Sequence, residues 1–130
     1  MYSHVNLGVH DLLRASAFYD RVLRELDITR AFAGDGFVAY RGQDERGPLF
    51  FICLPFNGEP ASAGNGVHVA FLAPNRAAVD RFHRVALEQG ATNEGDPGVR
   101  PHYHPDYYGA YIRDLDGNKL QACHQTGESE

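Results

Sequence analysis

The sequence predicts an α+β domain of two βαβββ modules, which form a cupped, barrel-like mixed sheet with the helices outside. Both halves of the 130-residue chain read as a strand, a helix and three further strands. A shift of 64 residues also places His4 on His68 and the helix N-cap Asp11 on Asn75, which indicates an internal duplication. One such module cannot bury its sheet alone, so two modules facing each other are expected to enclose a cavity.

The first module is predicted to span residues 1–56. Its opening strand, Tyr2–Val9, alternates so that Val5, Leu7 and Val9 lie opposite His4. Asp11 then begins a helix to about Leu26, with apolar residues at three- and four-residue steps. Three strands complete the module at Ile28–Ala33, Phe37–Arg41 and Pro48–Leu54. The last strand has almost no polar side chain, so it is buried or lines an apolar cavity.

A linker at residues 57–66, rich in Gly, Ala, Ser, Asn and Pro, precedes the second module at 67–125 and a tail at 126–130. All four segments belong to one structural domain. The second module is predicted to contain a strand at Val67–Leu72, a helix at Arg76–Gln89 with Val79, Phe82, Ala86 and Leu87 inward, a short strand at Ala91–Glu94, and a loop at 95–106. A closing hairpin, Tyr107–Arg113 with Lys119–His124, turns at Asp-Gly-Asn, where Gly and Asn tolerate positive φ.

Composition excludes several classes of partner. The chain has 12 Lys and Arg against 17 Asp and Glu, and a net charge of −5 argues against nucleic-acid binding. The sequence contains no run of about 18 apolar residues and no signal peptide, so no membrane association is expected. Cys53 and Cys123 are too few for a disulfide framework, which favours reduced thiols and a cytoplasmic location.

Two histidines are the strongest candidates for a functional site. His4 and His68 occupy equivalent strands and lie out of phase with their aliphatic neighbours, so both are expected to point into the cup. Imidazoles that converge from two strands are typical metal ligands. The alternative is a pair of histidines that are hydrogen-bonded in a polar pocket.

Three motifs carry a family resemblance: H-V-N-L-G-V-x-D-L-x-x-A-x-x-F-Y at the start, G-V-H-V-A-F in the middle, and D-x-D-G-N-K-L at the end. With the duplication, they make the chain similar to the vicinal oxygen chelate superfamily. That superfamily includes glyoxalase I, bleomycin-resistance proteins, extradiol dioxygenases and fosfomycin-resistance enzymes. The resemblance implies metal ligands at His4 and His68. It also places Gln121 where the family usually carries Glu, and Ile52 at a second Glu position of glyoxalases.

These departures limit the expected chemistry. A divalent ion (Fe, Zn, Mn or Ni) on His4, His68 and Gln121 would act as a Lewis acid in a lyase, isomerase or dioxygenase. Gln121 cannot accept a proton at neutral pH, so ordinary glyoxalase I activity is not expected. The alternatives are a metal-free ligand-binding protein of the bleomycin-resistance type and a vestigial dimerisation scaffold. A homodimer is expected, because the family often pairs two chains and C2 dimers are common.

Other residues are candidates for ligand contacts. The loop at 100–105 leads into the last hairpin, where His102 or His104 could act as a general base or third nitrogen ligand. Arg100 could hold a carboxylate or phosphate. The alternative is an ordinary surface loop.

Two further pairs of residues are also candidates for ligand contacts. Tyr107 and Tyr108 lie on opposite faces of their strand, so one should face the cup. Phe50 and Ile52 share a face, and if Ile52 points inward this side of the cup is apolar. Such a cup suits a small, partly aromatic or aliphatic ligand with one polar end.

Overall fold

A computed structural model describes residues 1–127, and residues 128–130 of the predicted tail lie outside the described part. The elements are β1 (His4–Gly8), α1 (Leu12–Arg24), β2 (Thr29–Gly34), β3 (Phe37–Arg41), β4 (Leu49–Cys53), β5 (His68–Leu72), α2 (Arg76–Glu88), β6 (Thr92–Val99), β7 (Tyr108–Arg113) and β8 (Lys119–His124). Neither described helix has the length and apolar character needed to cross a membrane.

Each module folds its four strands into one mixed sheet. The strand orders are β1-β4-β3-β2 and β5-β8-β7-β6. In each sheet the first strand pairs in parallel with the last, and the remaining pairs are antiparallel. The two sheets are not closed into a barrel. The predicted α+β architecture of two βαβββ modules is confirmed.

The hydrophobic core lies on the helix side of both sheets and is continuous between the modules. Phe50 of β4 and Phe71 of β5 meet there, edge to face, with ring centroids 5.0 Å apart. The helices also contact each other through the Arg81 guanidinium, which donates to the Glu25 carboxylate at 3.2 Å. Each sheet therefore has a second face, turned away from the helices, which we call its open face.

Both predicted N-caps are present. Asp11 Oδ1 accepts the Arg14 N–H at 3.1 Å, and Asn75 Oδ1 accepts the Ala78 N–H at 2.9 Å. The inward position predicted for Leu87 is wrong, because its side chain is 37% exposed. The buried stripe of α2 runs through Ala78, Val79, Phe82, Val85 and Ala86, which leaves Leu87 out of phase with the core.

Strand β6 is longer than predicted, and the following loop is shorter. The prediction ended the strand at Glu94, whereas it continues to Val99. Its register with β7 shifts twice, between Asn93 and Gly95 and again between Gly95 and Gly98. These irregularities absorb the Gly and Pro residues that indicated a loop.

The turn between β7 and β8 joins the two modules. Three of its side chains, Asp114, Asp116 and Asn118, form what we call the turn clamp. Tyr19 of α1 donates its hydroxyl to Asp114, and Asn118 Nδ2 donates to the Gly8 carbonyl at 3.0 Å. Asp116 Oδ1 accepts the His10 N–H at 2.9 Å and lies 2.5 Å from His10 Nδ1. Side chains of the second module thus form hydrogen bonds with polar groups of the first module.

Candidate functional site

The open face of the second module contains a hydrogen-bonded chain of three side chains. Tyr107 donates its hydroxyl to Gln121 Oε1, and Gln121 Nε2 lies 3.3 Å from His68 Nε2. Gln121 is 2% exposed, so its amide is held from both sides within the protein. Because an amide N–H₂ can only donate, His68 Nε2 is the acceptor in this contact.

Gly109 leaves room for these hydrogen-bonded side chains. It pairs with Cys123 in the β7–β8 hairpin, next to the Tyr111–Gln121 pair. A Cβ at residue 109 would lie 3.3 Å from the Tyr107 ring, 3.4 Å from Gln121 Oε1 and 3.3 Å from the Ala122 carbonyl oxygen. A side chain here would therefore press on the Tyr107 ring and on the Gln121 amide.

Two further tyrosines extend the site into an aromatic wall, formed by Tyr103, Tyr107 and Tyr111. The Tyr103 and Tyr111 hydroxyls are 2.9 Å apart, and the rings of Tyr103 and Tyr107 meet edge to face at 4.8 Å. His68 contacts Tyr111 with ring centroids 5.8 Å apart. Burial raises the pKa of Tyr107 well above its usual value and the pKa of Tyr111 to about 12. These phenols are therefore neutral donors at physiological pH.

Two cations flank Tyr111. Lys119 Nζ lies 4.9 Å from the centre of the ring, and Arg100 Cζ lies 5.8 Å from it. The Arg100 guanidinium donates to the carbonyls of Asp96 at 2.9 Å and Gly98 at 3.1 Å. Arg100 therefore uses its donors to brace β6, which leaves Lys119 as the better-placed cation for a ligand.

The loop histidines lie at the edge of the aromatic wall. The His102 ring is centred 4.3 Å from that of Tyr103, and the His104 ring 5.3 Å from that of Tyr107. His104 Nδ1 also accepts the Asp106 N–H at 3.2 Å. Their roles as a base or a third ligand stay predictions.

Tyr108 faces the opposite way from Tyr107. Its hydroxyl donates to Asp80 Oδ1 of α2 at 2.6 Å, and the Arg76 guanidinium stacks over its ring at 5.0 Å. Because residues alternate along a strand, Tyr108 belongs to the helix side. Tyr108 is therefore the one of the two tyrosines that faces away from the open face, and its role in ligand binding stays a prediction.

The condition that Ile52 points into the cup is not met, and Ile52 and Phe50 both face the helices. Ile52 is fully buried in the helix-side core, and Phe50 packs beside it. In the parallel pairs, His4 aligns with Leu49 and His68 with Lys119, so the counterpart of Gln121 is Phe51. The offset between the modules is 64 residues at the first strands and 70 at the last, and matching Gln121 to Ile52 missed this register by one residue.

The open face of the first module is apolar. Phe32, Phe37 and Phe51 form a cluster there with ring centroids 5.7–6.1 Å apart, and Phe32 is 46% exposed. His4 contacts the Phe51 ring at 5.2 Å, and its Nδ1 lies 2.8 Å from Ser3 Oγ. His4 and His68 therefore occupy equivalent positions, and the contacts described for them within residues 1–127 involve different residues.

These residues do not fit a resident divalent ion as they are arranged. The Gln121 oxygen and the His68 Nε2 lone pair, which would ligate a metal, are both used in protein hydrogen bonds. Within residues 1–127, no three His, Cys, Asp or Glu side chains are grouped to hold a metal ion. An amide also brings no charge to offset the cation.

Among the site residues that were missed from the sequence, Tyr111 and Lys119 had a usable signal. Counting outwards from the Asp-Gly-Asn turn aligns Arg113 with Lys119 and Tyr111 with Gln121. Lys119 is also the only lysine in the chain and lies two residues before Gln121, hence on the same face. Phe51 gave no such signal, because its pairing depends on the distant strand β1.

Tyr107→Phe tests the hydrogen bond to Gln121. We expect it to lower the free energy of unfolding by about 1 kcal/mol at pH 7, since water can partly replace the half-buried phenol. The raised pKa of Tyr107 stabilises the fold below about pH 10, and this contribution is lost as pH rises through the folded-state pKa. The difference in the free energy of unfolding between wild type and Tyr107→Phe, measured by urea unfolding, should therefore shrink above pH 10. Tyr2→Phe at an exposed position is the control, and an unchanged difference across this pH range would contradict the assignment.

Comparison with known proteins identifies the family. The sequence model of the Glyoxalase/Bleomycin resistance protein/Dioxygenase superfamily matches residues 2–122. A glyoxalase/bleomycin resistance protein from Albidiferax ferrireducens T118 has 39% identity and a TM-score of 0.85, with 95% of this chain and 98% of that chain covered. A search of curated proteins found no match.

Two solved structures with lower sequence identity are similar to this chain in fold only. A glyoxalase/bleomycin resistance protein/dioxygenase family enzyme from Burkholderia phytofirmans PsJN has 22% identity, with a TM-score of 0.70 and coverage of 95% of this chain and 97% of that chain. A glyoxalase-related enzyme from Fulvimarina pelagi has 17% identity, with a TM-score of 0.74 and coverage of 95% and 87%. The match over nearly the whole sequence and the duplicated fold together show that this chain belongs to the Glyoxalase/Bleomycin resistance protein/Dioxygenase superfamily.

Proposed function

We propose that the protein binds a small, partly aromatic ligand on its open faces without a metal ion. The observation that carries this proposal is the engagement of Gln121 between Tyr107 and His68. These hydrogen bonds occupy the His68 Nε2 lone pair and one of the two lone pairs of the Gln121 oxygen. The aromatic wall of the second module and the phenylalanine cluster of the first supply surface for rings. The tyrosine hydroxyls and the His68 imidazole supply the few polar contacts that orient a ligand.

A metal-dependent enzyme is the second candidate, and one observation favours it. His4 and His68 begin equivalent strands on the open faces, and both are exposed. Superfamily members commonly use divalent metals. In this candidate His4, His68 and Gln121 would hold Fe, Zn, Mn or Ni. The ion would supply Lewis-acid chemistry to an oxygen-bearing substrate.

Elemental analysis and thermal unfolding separate the two candidates. Untagged protein purified without chelator should contain far less than one transition metal per chain. A set of small aromatic acids, alcohols and amines should include at least one that raises the melting temperature in the presence of EDTA. Stoichiometric metal that is lost in both His4→Ala and His68→Ala would instead establish the metal-dependent candidate.

Assembly and location complete the proposal. The exposed Phe32 and Leu72 side chains leave apolar surface on or beside the open faces, which a second copy could cover. We expect a C2 homodimer, to be measured by light scattering coupled to size-exclusion chromatography. Two free thiols, Cys53 and Cys123, are consistent with a reducing cytoplasm.

A further inference from the structure

A cavity of about 190 Å³ lies between β1, the linker and the start of β8. Its polar lining comes from Asn6, Ser62, Asn118 and Lys119, and Gly8 and Val67 contribute to its apolar part. Asn6 and Lys119 lie on the open faces of different modules, so the cavity is a junction between them. Its volume is about six times the roughly 30 Å³ that a water molecule occupies in the liquid, which suits a small organic group.

Lys119 gives this cavity an uncompensated positive charge. Within residues 1–127, no carboxylate lies in ion-pairing distance of its ammonium group. Its described interaction is the contact with the Tyr111 ring. The chain has a net charge of −5 and one lysine, so an unpaired ammonium at the edge of a cavity is a specific feature rather than part of a basic surface.

Asn6 and Ser62 supply matching donors. In the part of the chain that the structure describes, neither side chain has a hydrogen-bond partner, whereas Asn118 uses its amide in the turn clamp. One ammonium, one amide N–H₂ and one hydroxyl can together satisfy the oxygens of a carboxylate. A single point charge matches a monoanion better than a phosphate, which favours several donors or a bidentate guanidinium.

Tyr111 connects the cavity to the aromatic wall. Lys119 packs on this ring, and Tyr111 in turn contacts His68 and Tyr103. A ligand whose carboxylate lies at Lys119 would therefore place a neighbouring ring beside tyrosine and imidazole rings, an arrangement that aromatic groups favour.

We propose that Lys119, Asn6 and Ser62 form a carboxylate subsite, and that the ligand is a small aromatic monocarboxylate. This inference deepens the proposed function and rests on it. The carboxylate of the ligand binds at Lys119, and the aromatic ring of the ligand contacts the Tyr111 side of the aromatic wall.

The single lysine allows a direct test with benzoate, acetate and benzyl alcohol as probes. Protein grown with ¹³C-labelled lysine gives one Lys119 Cε signal by NMR. Benzoate should shift this signal saturably and bind at least tenfold more tightly than acetate or benzyl alcohol. Lys119→Gln should weaken benzoate binding at least tenfold by calorimetry. Arg46→Gln, which removes one exposed positive charge elsewhere, should change it less than twofold.

Three outcomes overturn the subsite. If benzyl alcohol binds as tightly as benzoate, or if Lys119→Gln and Arg46→Gln have equal effects, the anchor is not this lysine, although metal-free ligand binding stands. If Lys119→Gln retains the wild-type melting temperature, a loss of benzoate binding cannot come from unfolding. If none of the aromatic acids, alcohols and amines binds in the presence of EDTA, the proposed function fails together with the subsite.

Discussion

Asp114→Ala should be among the most destabilising single substitutions outside the hydrophobic core, lowering the free energy of unfolding by about 3–5 kcal/mol. Asp114 is buried and accepts the Tyr19 hydroxyl, the Asn118 amide and the backbone N–H groups of residues 116 and 118. Hydrogen bonds to a charged group contribute roughly 1.5–3 kcal/mol each, and the abandoned donors remain buried. Burial and the nearby Asp114 carboxylate raise the pKa of Tyr19, so its hydroxyl stays a donor through the neutral range.

Urea unfolding of Asp114→Ala, Asp114→Asn and Asp35→Ala measures this effect. Asp114→Asn keeps the shape of the side chain but replaces one acceptor oxygen with a donor, so it should cost nearly as much. Asp35 lies exposed in the β2–β3 turn, and its replacement should change stability by less than about 0.5 kcal/mol. Equal stabilities for Asp114→Ala and Asp35→Ala would show that the turn clamp does not hold the modules together.

Gly109→Val should have the second largest effect, on both stability and the site. We expect a loss of up to about 3 kcal/mol, since the added methyl groups enter a space already bounded by Tyr107, Gln121 and the Ala122 carbonyl. Valine favours strands, and Gly109 lies within β7 without a positive φ, so crowding is the only source of this cost. The displaced Gln121 amide should also weaken benzoate binding at least tenfold.

Gly42→Val is the matched control, because a Cβ at residue 42 meets no atom within 4 Å and its φ is not positive. It should leave both the unfolding midpoint and benzoate affinity within error of wild type. If Gly109→Val protein had wild-type stability and affinity, the hydrogen-bonded side chains of Tyr107, Gln121 and His68 would tolerate displacement.

Features set by local sequence were predictable. The N-caps Asp11 and Asn75, the closing turn and the order of the ten elements all follow from short-range preferences, and each is present. Pairings between distant strands were not predictable in the same way. The equivalence of Phe51 with Gln121 depends on the register of β1 with β4, and the second module contains additional residues between its first and last strands.

The candidate site likewise contains some residues that could be predicted from the sequence and some contacts that could not. His68 could be named from the internal duplication, and Gln121 could be named because the family resemblance supplied its position. The bond from Tyr107 to Gln121 requires the bend of the loop at 100–107, which the sequence does not specify. The extension of β6 to Val99 was missed for a related reason, since register shifts let Gly and Pro continue a strand that their intrinsic preferences would end.

The turn clamp has a consequence for biosynthesis. Contacts from Tyr19, His10 and Gly8 to the clamp join residues 95, 106 and 110 positions apart. During translation the first module leaves the ribosome long before the residues that pair these groups exist. Contacts of such long range slow folding, because the chain must close a large loop before it gains them. These contacts of the amino-terminal half can therefore form only when the carboxy-terminal hairpin has been made.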